Sequence, residues 1–393
     1  MRVLLVHNMY QQPGGEDVAF RQELGLLEKA GHEVLTYCRS NAEISNCSTL
    51  ERLALPRQMI WARDTYQEVS ALLRWHKPEV AHIHNTFLMV SPSIYAACRD
   101  AGVSVIQTLH NYRLFCPAAG FYRSGQLCED CVAHNLWRSV YHGCYRQSRA
   151  ETAGVALMLE THRLLRTWAT LVDVFVTLTN FAREKFIACG LPSAKTVTKP
   201  NFVDPDPGAR GEAGDYVLFV GRLSPEKGPE TLLQAWSRMR IRVPLRIIGD
   251  GPERIRLESS LDGLRGCVSF AGQVNRREVL SALKGSRFLV FPSEWYESFP
   301  MVIAEAFACG VPVIAARLGA ARELVTDRRT GLHFTPSDPN DLARKVEWAW
   351  THTAEMESMG QAARKEFEAK YTAERNHQML MQVYQSAHAT SRL

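Results

Sequence analysis

Glu297-Ser-Phe-Pro-Met-Val-Ile-Ala-Glu305, with Ala-Phe-Ala-Cys-Gly-Val-Pro-Val-Ile-Ala315 after it, is the stretch from which this chain is best read. Before it, Phe288-Leu-Val-Phe291 is a short apolar run ended by Pro292, the pattern of a buried strand. Pro300 suits the first turn of a helix, where its missing N–H costs nothing. Gly310 stops that helix, and Val311 to Ala315 reads as the next strand. Glu297 therefore falls on a strand-to-helix turn, and Glu305 inside the helix near its start. Free N–H groups at such a start favour an anion. Two carboxylates beside them suit a ligand that joins hydroxyls to phosphate, as sugar nucleotides do. A solvated loop glutamate and an exposed helix glutamate are the alternative that these residues alone leave open.

The same strand, turn and helix grammar recurs along the chain. Val3 to Val6 leads through Gln11-Gln-Pro-Gly14-Gly15 into a helix from about Glu16 to Ala30, then a strand at Val34 to Tyr37. Gly14-Gly15 is not a dinucleotide fingerprint, but it permits close backbone approach to a ligand at a helix N-terminus. Val80 to Asn85 and Val103 to Leu109 are further strands. Residues at the carboxyl ends of strands in an open α/β sheet face the binding crevice, which places His110 there. His84, Tyr112 and Arg113 are the acceptor-side candidates at that edge. A helix from Ala150 to about Leu171 follows, and its run Leu157 to Leu165 reads as a core stripe.

A second α/β series restarts at Tyr216 to Val220 and turns through Gly221-Arg-Leu-Ser-Pro-Glu-Lys-Gly228. Arg222 and Lys227, one on each side of the turn, can grip a diphosphate from two directions. Gly272 to Val274 follows another strand as a backbone turn able to meet a flat base. Between the two series, Pro200-Asn-Phe-Val-Asp-Pro-Asp-Pro-Gly208 has the composition of a linker. Its Asp204-Pro-Asp206 is a poor ion cradle because prolines frame it, so no catalytic metal is expected. The resulting expectation is an α/β protein with a first domain over 1–199, an insertion at about 113–149, a linker over 200–214 and a second domain over 215–370. A last helix, 371–393, is expected to pack back on the first domain.

The insertion carries Cys116, Cys128, Cys131 and Cys144. Four thiols around a Cys-x-x-Cys match the ligand count of a structural zinc site, while an inert reduced set and a redox pair stay open. Ten cysteines without a signal-peptide core argue for the reducing cytosol. The net charge is +5, and four of those five charges precede Pro200. That fits an anionic membrane surface or a phosphorylated acceptor, and equally a solvated face. No apolar run reaches membrane-spanning length, and no zinc-finger spacing or dense basic helix points to nucleic acid.

Together these motifs resemble glycosyltransferase family 4, the retaining sugar-nucleotide transferases of GT-B architecture, with two Rossmann-like domains facing each other across a donor cleft. Glu297-x7-Glu305 and the Gly221 to Gly228 turn carry the resemblance most specifically. Leu109-His-Asn-Tyr-Arg113 and the cysteine insertion are similar to a bacterial surface-polysaccharide subgroup. The resemblance implies that Arg222 and Lys227 hold the donor diphosphate, Glu305 the ribose hydroxyls, and Glu297 and His110 the donor sugar. It implies backbone contacts from Ser298, Phe299, Pro300 and Met301, closure of Gly14-Gly15 over the phosphates, and a base lined by Gly272 and Val274. Pro300 departs from the family's frequent glycine, and Ala320 from the second glycine of a pair. The implied activity is a retaining, metal-independent hexosyl transfer, in the EC 2.4 class, from a nucleotide-diphosphate sugar to a glycan or lipid-linked acceptor. The implied location is cytoplasmic, with weak contact at the inner membrane face. A non-catalytic sugar-nucleotide-binding partner on the same fold is the competing reading.

Overall fold

A computed structural model describes residues 1–11, 14–46, 49–261, 263–264 and 266–390. Gln12 and Pro13 of the first glycine turn lie outside the described residues. The chain divides into two units, the first holding 1–121, 129–201 and 376–393 and the second holding 122–128 and 202–375.

The first unit is built on a six-stranded sheet. Its strands are β1 (Arg2–Met9), β2 (Glu33–Ser40), β3 (Val80–Ile83), β4 (Ser104–Leu109), β7 (Val174–Thr177) and β8 (Thr196–Thr198), with a hairpin of β5 (Tyr122–Arg123) and β6 (Gln126–Leu127) intervening in the chain. The order is β2-β1-β3-β4-β7-β8, and every pairing is parallel. Central parallel strands are covered on both faces, which is why Val3 to Val6 is apolar throughout and fully buried. The last helix, Ala373–Thr390, contributes Leu380, Val383, Tyr384 and Ala387 to the same core cluster as Val3, Leu5 and Phe20. Burying each such aliphatic side chain contributes roughly 1.5–3 kcal/mol.

The second unit repeats the plan with β9 (Tyr216–Val220), β10 (Leu245–Ile248), β11 (Val268–Gly272), β12 (Ser286–Phe291), β13 (Val313–Ala316) and β14 (Gly331–Phe334). Their order is β11-β10-β9-β12-β13-β14, again all parallel. Strand order reverses at β1/β3 in one sheet and at β9/β12 in the other. Loops after those strands splay apart and leave a crevice at the carboxyl edge.

Several sequence expectations change here. The helix expected over Ala150 to Leu171 is two, Arg149–Leu164 and Thr167–Leu171, because Arg166 takes a left-handed conformation (φ 55°). Its supposed core stripe is split, with Met158 and Leu159 buried while Leu157, Leu164 and Leu165 are 44%, 76% and 66% exposed. Most of 200–214 is strapped to the second unit rather than slack. Phe202 and Val203 are buried, Asp206 accepts two hydrogen bonds from Arg364 at 2.7 and 2.6 Å, and the Arg210 amide donates to Cys309 O at 2.8 Å. The hairpin Tyr122–Cys128 of the insertion also belongs with the second unit.

Candidate functional site

In the second unit the site begins at the β9/β12 reversal. After β9 the chain turns through Gly221 to Gly228, and Gly228 (φ 67°) lies so close to the segment after β12 that a Cβ there would stand 2.1 Å from Pro292 O. Only glycine allows that approach. It brings Lys227 Nζ to 2.5 Å from Glu297 Oε1 and 5.3 Å from the Trp295 ring centroid. Ser293 Oγ donates to the same Glu297 oxygen at 3.0 Å. Arg222 is exposed, and its side chain has no partner among the described residues. Glu305 is inside the helix Met301–Ala308, and Arg276 Nε donates to its Oε1 at 3.1 Å. Burial pushes the Glu305 carboxyl above its ordinary range while Arg276 opposes the shift. Gly272 closes β11 with φ 71°, and Val274 is half-buried beyond it.

In the first unit, the helix Gly15–Lys29 starts at Gly14, whose amide donates to Asp17 Oδ2 at 2.6 Å. Neither Gly14 nor Gly15 has a positive φ, and an added Cβ would meet no heavy atom closer than 4.0 Å at either. Their own fold does not demand glycine. Beside them, Asn111 Nδ2 donates to Glu16 Oε1 at 2.5 Å, which ties the turn to the segment after β4. His110 Nε2 is 2.9 Å from His84 Nδ1, and the rings are stacked. His84 Nε2 is 3.2 Å from Glu23 Oε1, and Glu23 Oε2 accepts from Lys199 Nζ at 3.0 Å. Burial would raise the Glu23 carboxyl, but Lys199, His82 and His84 hold it well below its ordinary range. Burial pushes His84 down to about 4 and His110 well below the usual histidine value. A small pocket, open to solvent, is lined by His84, His110, Asn111 and Arg113 among others.

Lys227 and Glu297 thus pair at one carboxyl edge, with Arg222 on the same turn as Lys227 and Glu305 on the helix after Glu297, while the other expected residues fare unevenly. Tyr112 is only 1% exposed, tilted against Phe121 and stacked on Phe186, so it is a core ring rather than a residue of the open edge. His84 is buried (3% exposed) and engaged by His110 and Glu23 rather than standing at an open edge. Arg113 does reach the pocket wall, with its guanidinium 4.0 Å over the Phe87 ring. Phe299 is buried edge-on against Tyr371, and Pro300 has no N–H, so Ser298, Phe299 and Met301 are the backbone donors of that turn. Cys116, Cys128, Cys131 and Cys144 are not in a grouping of three or more ligand atoms within 4.8 Å. Among the described residues, the single metal-ligand grouping within 4.8 Å is Glu23, His82 and His84. Sequence reading missed Glu23, Lys199, His82, Glu16 and Arg276. One signal was available: Ala19, Phe20, Glu23, Leu26 and Leu27 form a buried helical stripe with a carboxylate in its middle.

Comparison with known proteins bears on what these edges do. Residues 13–207 match the sequence profile described as Glycosyltransferase Family 4, and 204–366 that described as Glycosyl transferases group 1. A GDP-mannose-dependent alpha-mannosyltransferase of Mycolicibacterium smegmatis is 30% identical over 75% of this chain and 70% of its own length. A D-inositol 3-phosphate glycosyltransferase of Paenarthrobacter aurescens is 31% identical over 42% of this chain and 43% of its own length. Among solved structures, Anabaena HepE in complex with UDP superposes with TM-score 0.71 at 18% identity, covering 98% of this chain and all of HepE. Sucrose-phosphate synthase from Thermosynechococcus elongatus gives 0.72 at 19% identity, with 99% of each chain covered.

Proposed function

Because this chain belongs to the glycosyltransferases of the family 4 and group 1 kind, with GT-B architecture, we propose that it is a retaining, metal-independent hexosyltransferase. It moves a hexose from a nucleotide-diphosphate sugar to a glycan or lipid-linked sugar acceptor in the building of bacterial surface polysaccharide. The observation that carries this reading is the Lys227–Glu297 pair at the β9/β12 reversal, with Arg222 on the same turn as Lys227 and Glu305 on the helix that follows Glu297.

Breaking the sugar–phosphate bond leaves positive charge at the anomeric carbon and negative charge on the departing diphosphate. Arg222, Lys227 and the N-terminal amides of the helix Met301–Ala308 answer the second with preorganised positive potential. Glu297 takes both of its contacts on Oε1, so Oε2 is the oxygen for a donor-sugar hydroxyl. Glu305, steadied by Arg276, accepts from the ribose hydroxyls. Gly14 and Gly15 are glycine without a conformational need for it, which fits a backbone that a phosphate approaches closely. The acceptor hydroxyl attacks the face from which the diphosphate leaves, and a leaving phosphate oxygen takes its proton. The products are the glycoside and the nucleoside diphosphate.

The acceptor is delivered at a membrane surface. No helix among the described residues is long and apolar enough to cross a membrane. The first unit nevertheless exposes Trp137, Tyr141, Leu157, Leu164 and Leu165 together with Arg138, Arg149, Arg163 and Arg166, an apolar and cationic combination suited to an anionic leaflet.

A thermal-shift panel of UDP-, GDP- and ADP-sugars tests the donor half, since a ligand of the native state raises the melting temperature. One sugar nucleotide should stabilise the protein well above the others, and a flat panel would remove the reading. A chelator should leave turnover with that donor unchanged. Loss restored by Mg²⁺ or Mn²⁺ would remove metal independence alone.

A further inference from the structure

The polar centre of the first unit has a direction imposed by chemistry. An ionised carboxylate only accepts hydrogen bonds. Glu23 is 3% exposed, and its Oε2 is engaged by the Lys199 ammonium at 3.0 Å. Its Oε1 faces His82 Nδ1 at 2.7 Å and His84 Nε2 at 3.2 Å, so both ring nitrogens carry protons. His82 Nε2 stands 2.7 Å from the Thr108 hydroxyl. His84, kept neutral by its burial, has a bare Nδ1, and the group facing it at 2.9 Å is His110 Nε2. His110 must therefore hold its proton on Nε2, which leaves a lone pair on Nδ1. The last helix closes the system from the far side, where Tyr384 OH is 2.9 Å from His82 Nδ1 and Asn376 Oδ1 accepts from Lys199 at 3.0 Å.

We infer that Glu23, Lys199 and His84 are positioning residues that fix His110 as a neutral ring with its lone pair on Nδ1, so that it accepts a hydrogen bond from a hydroxyl of the sugar substrate. This rests on the reading of the chain as a sugar transferase. His110 is half-buried in the wall of that small pocket, beside Asn111 and Arg113. The burial that pulls His84 and His110 toward neutrality acts in the same sense. A metal at Glu23, His82 and His84 would need nitrogens already committed to Glu23, Thr108 and His110, and the Lys199 ammonium already supplies the cation. A lone histidine at this edge would be free to take either tautomer. The buried ion pair removes that freedom.

The test measures tautomers directly in the full chain, by long-range proton–nitrogen NMR correlations on protein labelled with ring-¹⁵N histidine. In the wild type His84 and His110 should both be protonated on Nε2 only. Glu23→Gln turns the amide NH₂ toward His84 and should move the protons of both rings to Nδ1, while Glu23→Asp should keep the wild-type pattern. With the sugar nucleotide that most stabilises the protein as donor, Glu23→Gln should lower kcat by about 10-fold or more, and Glu23→Asp should recover most of it. Nδ1 protonation of His110 in the wild type would overturn the inference, and so would an unchanged His110 tautomer and kcat in folded Glu23→Gln. The NMR result needs no substrate and stands if Glu23→Gln does not fold. Failure of every sugar nucleotide to bind would therefore sink the transferase reading while leaving the tautomer assignment decided.

Discussion

At the carboxyl edge of the second sheet, charge is kept within reach of solvent. The Lys227 and Glu297 side chains are 23% and 12% exposed, and Arg222 is exposed. At the corresponding edge of the first sheet it is locked away, with Lys199 and Glu23 at 2% and 5%. Both edges hold a lysine–glutamate pair, and burial decides what each pair does. A part-exposed pair exchanges its partner for a ligand at little cost, since such pairs contribute about 0–1 kcal/mol. A buried pair cannot: removing one partner strands the other at a cost of roughly 3–5 kcal/mol. On the proposed reading the first kind binds, and the second orients what binds.

The sharpest way to break this contrast is at the exposed pair. Lys227→Ala and Arg222→Ala should each lower turnover on the order of 10²-fold or more, as loss of one preorganised contact to a developing anion does. Neither should move the melting temperature appreciably, because neither side chain is buried. Lys199→Met should do the reverse, destabilising the first unit by several kcal/mol as Glu23 is left without its ammonium. Wild-type turnover in Lys227→Ala and Arg222→Ala, with donor and acceptor supplied, would end the assignment of the second edge.

Acid should separate the two units as well. Glu23 titrates well below its ordinary range when folded, so the stability it contributes is present above that range and is lost as pH falls through the folded value. Buried neutral histidines add to this, because the unfolded chain takes up their protons first. For His84 the loss runs from about pH 6.5, where a free histidine titrates, down to about 4. By pH 5 that one group should cost on the order of 2 kcal/mol. His110 and His162 are shifted the same way in the first unit. In the second unit His333 is lowered, but Glu305 is raised and so favours the folded state as pH falls. Amide exchange should show β1 losing protection before β9 between pH 7 and 5. The opposite order would refute the view that buried charge is concentrated in the first unit.

These two edges were not equally legible. Glu297, Glu305, Arg222 and Lys227 lie on turns and helix starts marked by glycine and proline, where local chemistry dictates backbone shape, so sequence alone placed them. Glu23 and Lys199 are 176 positions apart, and no local rule joins them. Only the Glu in an apolar stripe hinted that a buried partner existed, and its identity depends on sheet order. Tyr112 misled because residues after a strand end were assigned to the crevice, whereas the chain there turns inward and packs the ring between Phe121 and Phe186. For the cysteines, spacing supplies a ligand count alone, because where thiols as far apart in sequence as Cys116 and Cys144 stand is set by the fold and not by spacing.

A smaller effect should sharpen the second edge. Arg276 stands at the first turn of its helix, donates to Glu305 and also reaches Asp204 O at 2.8 Å. Without it, burial would raise the Glu305 carboxyl further and make it a weaker acceptor for ribose hydroxyls. Loss of one charge-assisted bond costs about 1.5–3 kcal/mol, so Arg276→Ala should raise the donor KM by roughly 10-fold or more with kcat little changed. A fall in kcat at unchanged KM would place Glu305 at the reacting centre instead.

The smallest expected effect concerns the outer face of the first unit, where exposure and charge occur together again. Arg163, Leu164, Leu165 and Arg166 are all exposed where the helix Arg149–Leu164 ends, and Arg149 lies over the Tyr141 ring at 5.7 Å. Each well-placed cation contributes roughly 1 kcal/mol at an anionic leaflet, so one residue decides little and the set decides binding. Vesicles containing anionic lipid should retain the protein at low salt and release it as ionic strength rises, because the attraction falls off within a Debye length of about 8–10 Å. Leu164→Ser with Leu165→Ser should weaken retention but leave its salt dependence, since the apolar pair adds affinity without charge. Arg163→Gln with Arg166→Gln should flatten the salt dependence itself. Indifference to anionic vesicles even at low salt would mean that the exposed leucines and arginines are an ordinary solvated surface, and that the acceptor reaches the enzyme from solution.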